Sequence, residues 1–560
     1  MGATSVENAK ELVFLPLGGV GEIGMNVYLY GYGEPWARQW LMVDLGITFA
    51  GDREPGVDVI LPDIRFIEEE RDNLIGILLT HAHEDHYGAI IDLWPRLRAP
   101  IYATPFTMAL LKAKFRENGI DGEFPIEMVM PGSRFQIGPF DIELVTMTHS
   151  IPEPNAVAIR TSLGLAFHSG DWKLDTNPVL GDPTDTKRIQ ELGEEGVATL
   201  ICDSTNVLTD GESPSESEVA ATLAKLIDEA ERCVAVTTFA SNVSRIRAVA
   251  DGAAAAGRHL VVVGRAMHRV IQAAKETGFL AEDMEILSED EFGHLPGDKV
   301  VALCTGSQGE SRAALARIAS DNHPNVSFSR GDRVIFSSRT IPGNEKAVAY
   351  LQNKLVDLGV ELMTDSDALV HTSGHPRRGE LEKLYGWLKP QSVIPMHGEI
   401  RHLESHVALA KSLGVSNAVS ARNGSIVRLL PGPAEIIDEA PSGRQFRDGL
   451  LVVDSDDRSI RARRKLSVAG MIVVSLVLSR KGELVSEPLI TMEGIPNLDE
   501  FGDQIYDLVL DTINGTLESI PRARRKDDAL VSEAVRRSVR AAIKQVWGKR
   551  PICSVLVSLI

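Results

Sequence analysis

The run HAHEDH at residues 81–86 most constrains how this chain can fold, because it directly follows an apolar segment, 74–80, that is typical of a buried β-strand. Histidine makes up 14 of 560 residues, so three in one six-residue window are not an accident of composition. On a loop between a strand and a helix, His81 and His83 project toward one metal ion, and Asp85 and His86 can turn toward a second. Imidazole and carboxylate ligands suit zinc. The spacing is not H-E-x-x-H, so a helix-borne protease site is not indicated.

Three further candidate ligands close predicted strands elsewhere in the chain. His149 ends the segment 142–150, Asp171 ends 164–171 and His397 lies within 393–399. Taken singly, a histidine at a strand end is more often a hydrogen-bonded polar residue, and a Gly-Asp pair is usually a turn. Their order along the chain, after the histidine cluster, is what makes them candidates for one shared site.

The pattern of apolar segments predicts two different kinds of sheet. Residues 12–50 alternate short apolar runs with glycine turns and therefore predict consecutive strands. From about residue 211, buried strands alternate with amphipathic helices, which indicates a parallel, doubly wound α/β domain with polar residues such as Ser241 at the strand ends. The sequence GVGEIG at 19–24 matches the dinucleotide fingerprint, but a β-rich segment follows it instead of a helix, so we expect no nucleotide cofactor.

Composition indicates a globular protein without a membrane anchor. The four cysteines are far apart and lie in apolar runs, so we expect buried core residues in a reducing environment. The first fourteen residues lack a basic region followed by an apolar one, and the longest apolar stretch, 468–479, is too short to span a bilayer. We therefore expect a cytoplasmic location and no membrane association.

The net charge of −20 argues against a surface coated uniformly for nucleic acid. A polyanion would have to meet a metal site or a local basic patch. Two basic runs could contribute, although a solvated linker and a solvated helix face explain them equally well. The runs consist of Arg461, Arg463, Arg464 and Lys465, and of Arg522, Arg524, Arg525 and Lys526.

At the level of motifs the chain resembles a known group of enzymes. The series DLG at 44–46, HAHEDH, His149 and HSGD at 168–171 resembles the metallo-β-lactamase hydrolase core. CDSTN at 202–206, HTSGH at 371–375 and MHGE at 396–399 resemble the β-CASP nuclease branch of that superfamily. The closest resemblance is to the ribonuclease J family, over essentially the whole chain, and it rests on GGVGEIGMN at 18–26, TTFASN at 237–242, TGSQGE at 305–310 and IPGNE at 341–345.

This resemblance implies an α/β fold: a metallo-β-lactamase αββα sandwich interrupted by a doubly wound β-CASP domain, followed by a small α+β C-terminal domain. At 560 residues the chain is long enough for such an arrangement. We expect the first part of the core at 1–210, the β-CASP domain at 211–365, the second part of the core at 366–450, a linker at 451–466 and the C-terminal domain at 467–560.

The resemblance also implies a role for each candidate residue. His81, His83 and His149 would hold one zinc ion, Asp85, His86 and His397 a second, and Asp171 would bridge them; Mn²⁺ or Mg²⁺ can substitute. Asp44 would orient a ligand imidazole. Asp85, His375 and Asp203 are the predicted catalytic residues, with His375 as the general acid steadied by Asp203. The predicted RNA contacts, which include a phosphate pocket at a helix start, are His371, Thr372, Ser373, Gly374, His375, Ser241 and Asn344.

The implied function is that of a zinc-dependent ribonuclease in which a bridging hydroxide attacks the phosphodiester. We expect 5′-to-3′ exonuclease activity on single-stranded RNA with a 5′ monophosphate, together with endonuclease activity, in mRNA decay and RNA maturation. A homodimer or homotetramer, formed through the C-terminal domain, and partners in RNA degradation are further expectations.

Three alternatives remain open at this stage. In DNA-directed members of the same branch, the motif at the position of His397 resembles valine instead. The histidine therefore favours RNA. A small-molecule hydrolase would share the metal ligands but would not need about 150 residues of α/β insertion before His397. A non-enzymatic scaffold would show substitutions within the histidine cluster, and none are present.

Overall fold

A computed structural model describes residues 10–51, 53–120 and 124–560. Its contacts divide the chain into two compact units. The first consists of Met1–Thr48 and Ile60–Gln445, and the second of Phe49–Val59 and Phe446–Ile560. The boundaries that we expect within the first unit, after residues 210 and 365, stay predictions. None of the helices in the described ranges is long and apolar enough to cross a membrane.

Two mixed sheets form the centre of the first unit. Buried side chains from both sheets, including Leu12, Phe14, Ile142, Val157 and Ile201, share one hydrophobic cluster, so the sheets pack face to face. The eight-stranded sheet has the order Glu435–Glu439, Ser425–Leu430, Glu11–Gly18, Val27–Gly33, Gln39–Val43, Leu74–Leu78, Ile101–Ala103 and Ile126–Met128. The seven-stranded sheet has the order Arg134–Ile137, Phe140–Thr146, Asn155–Thr161, Gly164–His168, Val197–Asp203, Ser392–Met396 and Asn417–Ala418.

Helices cover the sandwich. On the second sheet, Leu192, Leu384 and Leu409 from three helices are buried in one cluster with Leu200 and Val393 of the strands. This amphipathic packing is what the apolar spacing of the helices predicts. The helices of the sandwich are Arg65–Glu69, Glu84–Tyr87, Ile90–Leu97, Pro105–Glu117, Thr186–Glu195, Arg378–Leu388 and Ile400–Ser412.

An α/β insertion separates two neighbouring strands of the second sheet. The strands Val197–Asp203 and Ser392–Met396 pair in parallel, and the insertion lies between them in sequence. Its sheet is entirely parallel, as the alternation of strands and helices predicts. The strand order is His259–Val263, Val300–Cys304, Val234–Thr237, Arg333–Phe336 and Glu361–Met363. Its helices are Glu216–Asp228, Val243–Ala255, Arg265–Glu276, Ala314–Ile318 and Glu345–Asp357, with 3₁₀ turns at Glu289–His294 and Gly297–Lys299.

The glycine-rich segment near the start of the chain leads into β-structure, as predicted. Val20–Gly21 pairs with Gly398–Glu399, and the next element is the strand Val27–Gly33. No helix N-terminus therefore follows the fingerprint-like glycines. The short pairing has another consequence, because it brings the start of the chain beside the residue that follows His397.

The second unit contains the strand, strand, helix, helix, strand order predicted for the end of the chain. Met471–Leu478 pairs in parallel with Ile552–Leu559 and antiparallel with Leu489–Glu493. The helices Ile505–Ser519 and Asp528–Trp547 contribute buried Val and Ile side chains to the same core. The remaining short elements of the chain are the strands Thr48–Phe49, Val59–Pro62, Arg444–Asp448 and Leu451–Asp454 and the 3₁₀ turns Arg71–Asn73 and Arg522–Lys526.

The predicted linker at 451–466 is wrong. A strand at Leu451–Asp454 and a helix at Arg458–Ala469 occupy this stretch. The Asp457 side chain accepts a hydrogen bond from the backbone amide of Ser459 at the helix start, and Ile460 is fully buried. The many arginines conceal the pattern, because only Ile460 and Ala469 of this helix are buried.

Candidate active site

Three histidines from two loops form a first group of candidate ligands. His81 and His83 follow the strand Leu74–Leu78, and His149 follows Phe140–Thr146. The His81 Nε2 atom lies 3.1 Å from Nδ1 of His83, and the His149 Nε2 atom lies 3.0 Å from the same nitrogen. One nitrogen from each ring lies within 4.8 Å of the others, so the three rings can share one metal ion. Such a set of imidazoles suits zinc.

A second group lies beside the first. It comprises Asp85, His86, Asp171 and His397, whose ligand atoms also lie within 4.8 Å of one another. The Asp171 Oδ2 atom is 3.1 Å from His86 Nε2 and 3.9 Å from His149 Nε2, so this carboxylate stands between the two groups. Its Oδ1 atom is buried without a hydrogen-bond partner. Nδ1 of His397 lies 3.5 Å from this oxygen without a hydrogen bond between them, and a bound cation would satisfy the buried carboxylate.

Electrostatics also favour cations at these residues. Burial lowers the pKa of His83 to about 4 and holds the pKa values of His81 and His149 well below the ordinary value, which keeps these imidazoles in the neutral form that binds metals. Although burial opposes it, the charge of Asp171 raises the pKa of His397 to about 10. His397 in turn helps to hold the pKa of the Asp171 carboxyl well below its usual value. The carboxylates therefore attract positive charge to this group.

Asp44 contacts the imidazole of His86, one of the predicted ligands. Its Oδ2 atom accepts a hydrogen bond from Nδ1 of His86 at 2.7 Å, and its Oδ1 atom accepts one from the backbone amide of Thr80 at 2.8 Å. Asp44 has a φ of +63°, a left-handed conformation that costs free energy and is typical of functional sites. The Thr80 hydroxyl also lies 3.0 Å from Nδ1 of His81, and sequence reasoning missed this residue.

Two further contacts that hold ligand imidazoles were not predicted from sequence. The Thr205 hydroxyl lies 2.8 Å from Nδ1 of His397, a residue that itself has a φ of +48°. The carbonyl of Gly374 accepts a hydrogen bond from Nδ1 of His149 at 2.6 Å. Contacts of this kind fix ring orientation and tautomer. For Thr205 the available signal was its place in the CDSTN motif, two residues after the predicted catalytic Asp203.

His375 and Asp203 form a pair next to the second ligand group. The Asp203 Oδ2 atom lies 2.8 Å from Nδ1 of His375. Although burial opposes it, Asp203 raises the pKa of His375 above its ordinary value. The following helix is Arg378–Leu388, with Arg377 as its N-cap, so His375 does not cap it. The helix start predicted next to Gly374 is wrong, because three residues separate Gly374 from the first residue of the helix, Arg378.

The loop at 371–375 is held by buried hydrogen bonds. The Asn206 amide donates to the Ser373 hydroxyl oxygen at 2.8 Å and to the carbonyl of His375 at 3.1 Å. The Ser373 hydroxyl hydrogen therefore stays available to a ligand. Thr372 is buried and its hydroxyl donates to a backbone carbonyl, so the protein uses that group internally. The Nδ1 atom of His371 is buried without a hydrogen-bond partner.

The two predicted RNA contacts in the insertion lie apart from these groups in the contact network. Ser241 lies between the strand Val234–Thr237 and the helix Val243–Ala255. Asn344 precedes the helix Glu345–Asp357 without a side-chain capping hydrogen bond, and its amide donates to Gln308 Oε1 at 3.4 Å. Within the described ranges, no hydrogen bond joins either residue to the seven predicted ligands. Their role in RNA binding stays a prediction.

The two basic runs are partly neutralised within the second unit. Arg463 forms an ion pair with Asp448, and Arg522 lies 3.3 Å from Glu483. The Arg525 side chain donates to the carbonyl of Ile520 at 2.8 Å. These contacts favour charged helix faces over a continuous patch for nucleic acid. The predicted burial of all four cysteines is confirmed.

Comparison with known protein families agrees with the fold and the site. The model for the β-lactamase superfamily domain matches residues 49–183, and that for the ribonuclease J β-CASP domain matches 231–355. The Zn-dependent metallo-hydrolase RNA specificity domain matches 343–420, and the ribonuclease J C-terminal domain matches 458–560. The fold and the site thus define a metallo-β-lactamase-type hydrolase with a β-CASP insertion.

Similarity to individual proteins extends over nearly the whole chain. Ribonuclease J of Sinorhizobium meliloti is 53% identical over 551 residues, which cover 98% of either chain. Ribonuclease J of Mycolicibacterium smegmatis is 39% identical, with 96% of this chain and 95% of that protein covered. The chain therefore belongs to the ribonuclease J family and is a hydrolytic ribonuclease. This membership favours an RNA substrate over the DNA, small-molecule and scaffold alternatives.

A solved structure supports the fold alone. It is that of a protein of unknown function from Enterococcus faecalis V583, with a TM-score of 0.51 and 16% sequence identity. The match covers 75% of this chain and 100% of that chain.

Proposed function

We propose that this ribonuclease degrades single-stranded RNA from a 5′ monophosphate end in the 5′-to-3′ direction, and that it also cuts internally. The observation that supports this most is the position of Asp171, which lies 3.1 Å from His86 and 3.9 Å from His149, beside the His375–Asp203 pair. One zinc ion would be held by His81, His83 and His149, the other by Asp85, His86 and His397, with Asp171 as a ligand to both.

The residues of the chain supply the rest of the chemistry. Two bound zinc ions would lower the pKa of a water molecule and neutralise charge on the phosphodiester. His375 would donate a proton to the departing 3′ oxygen, since its ring points into the site and its side chain is 19% exposed. Asp203 holds the Nδ1 side of that ring and thereby leaves Nε2 for the substrate.

The loop at 371–375 supports a preference for one terminal phosphate. The Ser373 hydroxyl offers a polar group next to His375, whose backbone amide donates to its oxygen at 3.3 Å. A pocket of fixed depth would accept a monophosphate and reject two further phosphates, so RNA with a 5′ triphosphate should be a poorer substrate. The products would be nucleoside 5′-monophosphates. A cytoplasmic location, a role in mRNA decay and RNA maturation, and assembly into dimers or tetramers belong to the same proposal.

Metal analysis combined with digestion of end-labelled RNA tests the proposal. The wild-type protein should bind two zinc ions per chain and release labelled mononucleotide from 5′-³²P RNA at the earliest times. His83→Ala and Asp171→Ala should lose metal and activity but stay folded. The control is His259→Ala, because His259 is an exposed histidine at the start of a strand in the insertion. Full cleavage by a metal-free preparation, or release of labelled mononucleotide from the 3′ end first, would contradict the proposal.

A further inference from the structure

Gln308 links two sequence motifs of the insertion. Its side chain is buried within the TGSQGE motif, and its amide donates to the carbonyl of Arg339 at 3.0 Å. Its Oε1 atom accepts a hydrogen bond from the backbone amide of Ile341 at 2.8 Å. One amide group thus pins both sides of the turn at 339–341, which follows the strand Arg333–Phe336. These two hydrogen bonds therefore hold the backbone of Arg339 in place before any ligand binds.

The Arg339 side chain extends from this turn toward the loop that carries His375. Its Nη1 atom lies 3.4 Å from Oδ1 of Asn206. The amide nitrogen of the same Asn206 side chain donates to the Ser373 hydroxyl and to the carbonyl of His375. A single amide group therefore separates the guanidinium from the loop at 371–375. Arg339 comes from the insertion, whereas Asn206 lies three residues after the strand Val197–Asp203 of the sandwich.

The charge of Arg339 is available for an anion. The residue is exposed, and within the described part of the chain no carboxylate lies at ion-pair distance from its guanidinium. Such a cation is notable beside a site in a protein with a net charge of −20. The pKa of His371 is lowered to about 3 by burial first and then by the charges of Arg245, Lys173 and Arg339. This agrees with a position of Arg339 near the loop at 371–375. A planar guanidinium can bind a phosphate through two parallel hydrogen bonds.

We propose that Arg339 binds the 5′-terminal phosphate of RNA together with the loop at 371–375. The inference rests on the proposed function, because it names a residue that determines the preference for a 5′ monophosphate. Since the site lies at the carboxyl end of a strand in a parallel sheet, it is also where such sheets bind ligands. The insertion would then supply the cation that recognises the RNA end, and the sandwich would supply the chemistry.

The test compares Arg339→Gln with Arg330→Gln. Arg330 is an exposed arginine that precedes the same strand, at its opposite end, so both variants lose one positive charge from the same domain. The kcat/KM of the holoenzyme is measured on two RNAs of one sequence, with a 5′ monophosphate or a 5′ hydroxyl. Arg339→Gln should lower kcat/KM for the monophosphate roughly 10- to 100-fold and leave the hydroxyl substrate within about twofold. Arg330→Gln should retain the wild-type ratio.

Different outcomes separate the inference from the proposed function. If the wild type shows no preference for the monophosphate, the proposed function fails. If the wild type shows the preference and Arg339→Gln retains it, the inference alone fails. An equal loss on both RNAs would mean that Arg339 acts by positioning Asn206, which also overturns the inference. Arg339→Lys should recover part of the preference, since lysine keeps the charge but not the paired donors.

Discussion

Replacement of Gly374 by alanine should disturb the first ligand group through a steric contact that is visible in the structure. A Cβ atom at this position would lie 2.5 Å from Nδ1 of His149 and 2.8 Å from the Ser150 hydroxyl oxygen. The backbone of Gly374 does not have a positive φ, so alanine meets no conformational penalty there. The effect of the substitution therefore comes from these two clashes, and the shorter one falls on a predicted metal ligand.

The size of the effect follows from the distances. Ordinary van der Waals contact begins at 3.4 Å, so the ring and the loop must separate by 0.9 Å. This movement would stretch the 2.6 Å hydrogen bond between His149 Nδ1 and the carbonyl of Gly374. Loss of a contact that orients a ligand typically weakens metal binding about 10- to 100-fold. A displacement of about 1 Å costs on the order of 10² in rate. We therefore expect both effects in Gly374→Ala.

Metal content after dialysis against graded zinc buffers and single-turnover cleavage of 5′-labelled RNA measure the two effects. Gly386→Ala is the matched control, because no atom lies within 4 Å of its added Cβ and Gly386 lies inside the helix Arg378–Leu388. That variant should be at least as stable as the wild type. If Gly374→Ala binds zinc with wild-type affinity and cleaves at the wild-type rate, the contact with His149 does not position a ligand.

Three other substitutions test separate parts of the structure. His375→Ala should lower the single-turnover rate about 10² to 10⁴-fold while zinc content stays constant, because a general acid contributes about that much; loss of zinc would contradict this role. Thr205→Val removes the hydroxyl beside His397 and should weaken zinc binding about 10- to 100-fold in a chelator titration. Arg245→Met leaves the buried Glu216 carboxylate without its 2.8 Å partner and should cost about 3–5 kcal/mol in urea unfolding, whereas an unchanged midpoint would show that the pair is not stabilising.

The sequence predicts most strands well because their burial leaves a pattern of apolar residues. Four of the five parallel strands of the insertion read as continuous apolar runs, whereas the short strand Glu361–Met363 has no buried residue and escaped prediction. The strand Met471–Leu478 alternates buried and half-buried residues. The helix Arg458–Ala469 escaped prediction because its stability depends on a few buried contacts and not on a wide apolar face. A pattern of charge alone could not distinguish that helix from a solvated linker.

The candidate ligands were accessible to sequence reasoning because metal binding needs particular side chains at strand ends. The groups that orient them were less accessible, since almost any polar atom can serve. Thr80 and Thr205 act through their hydroxyls. Gly374 acts through its backbone carbonyl, a group that every residue type has. For Gly374 the sequence did suggest importance, but for contact with RNA. That contact stays a prediction, and the structure adds a second reason for a glycine at this position, because an added Cβ would lie 2.5 Å from Nδ1 of His149.

The way the insertion enters and leaves the sandwich explains why recognition and chemistry can be linked. The chain departs from the second sheet at Asp203, which holds His375, and it re-enters the site through the loop at 371–375 before the next strand of that sheet. Arg245 of the insertion donates to the carbonyl of Val370, one residue before that loop, at 2.8 Å. A shift of the insertion against the sandwich would therefore move the loop that carries His375. Because the carbonyl of Gly374 in that loop accepts a hydrogen bond from Nδ1 of His149, the same shift would reach the first ligand group. Binding of an RNA end at the insertion would thus act on the predicted general acid and on a predicted metal ligand together.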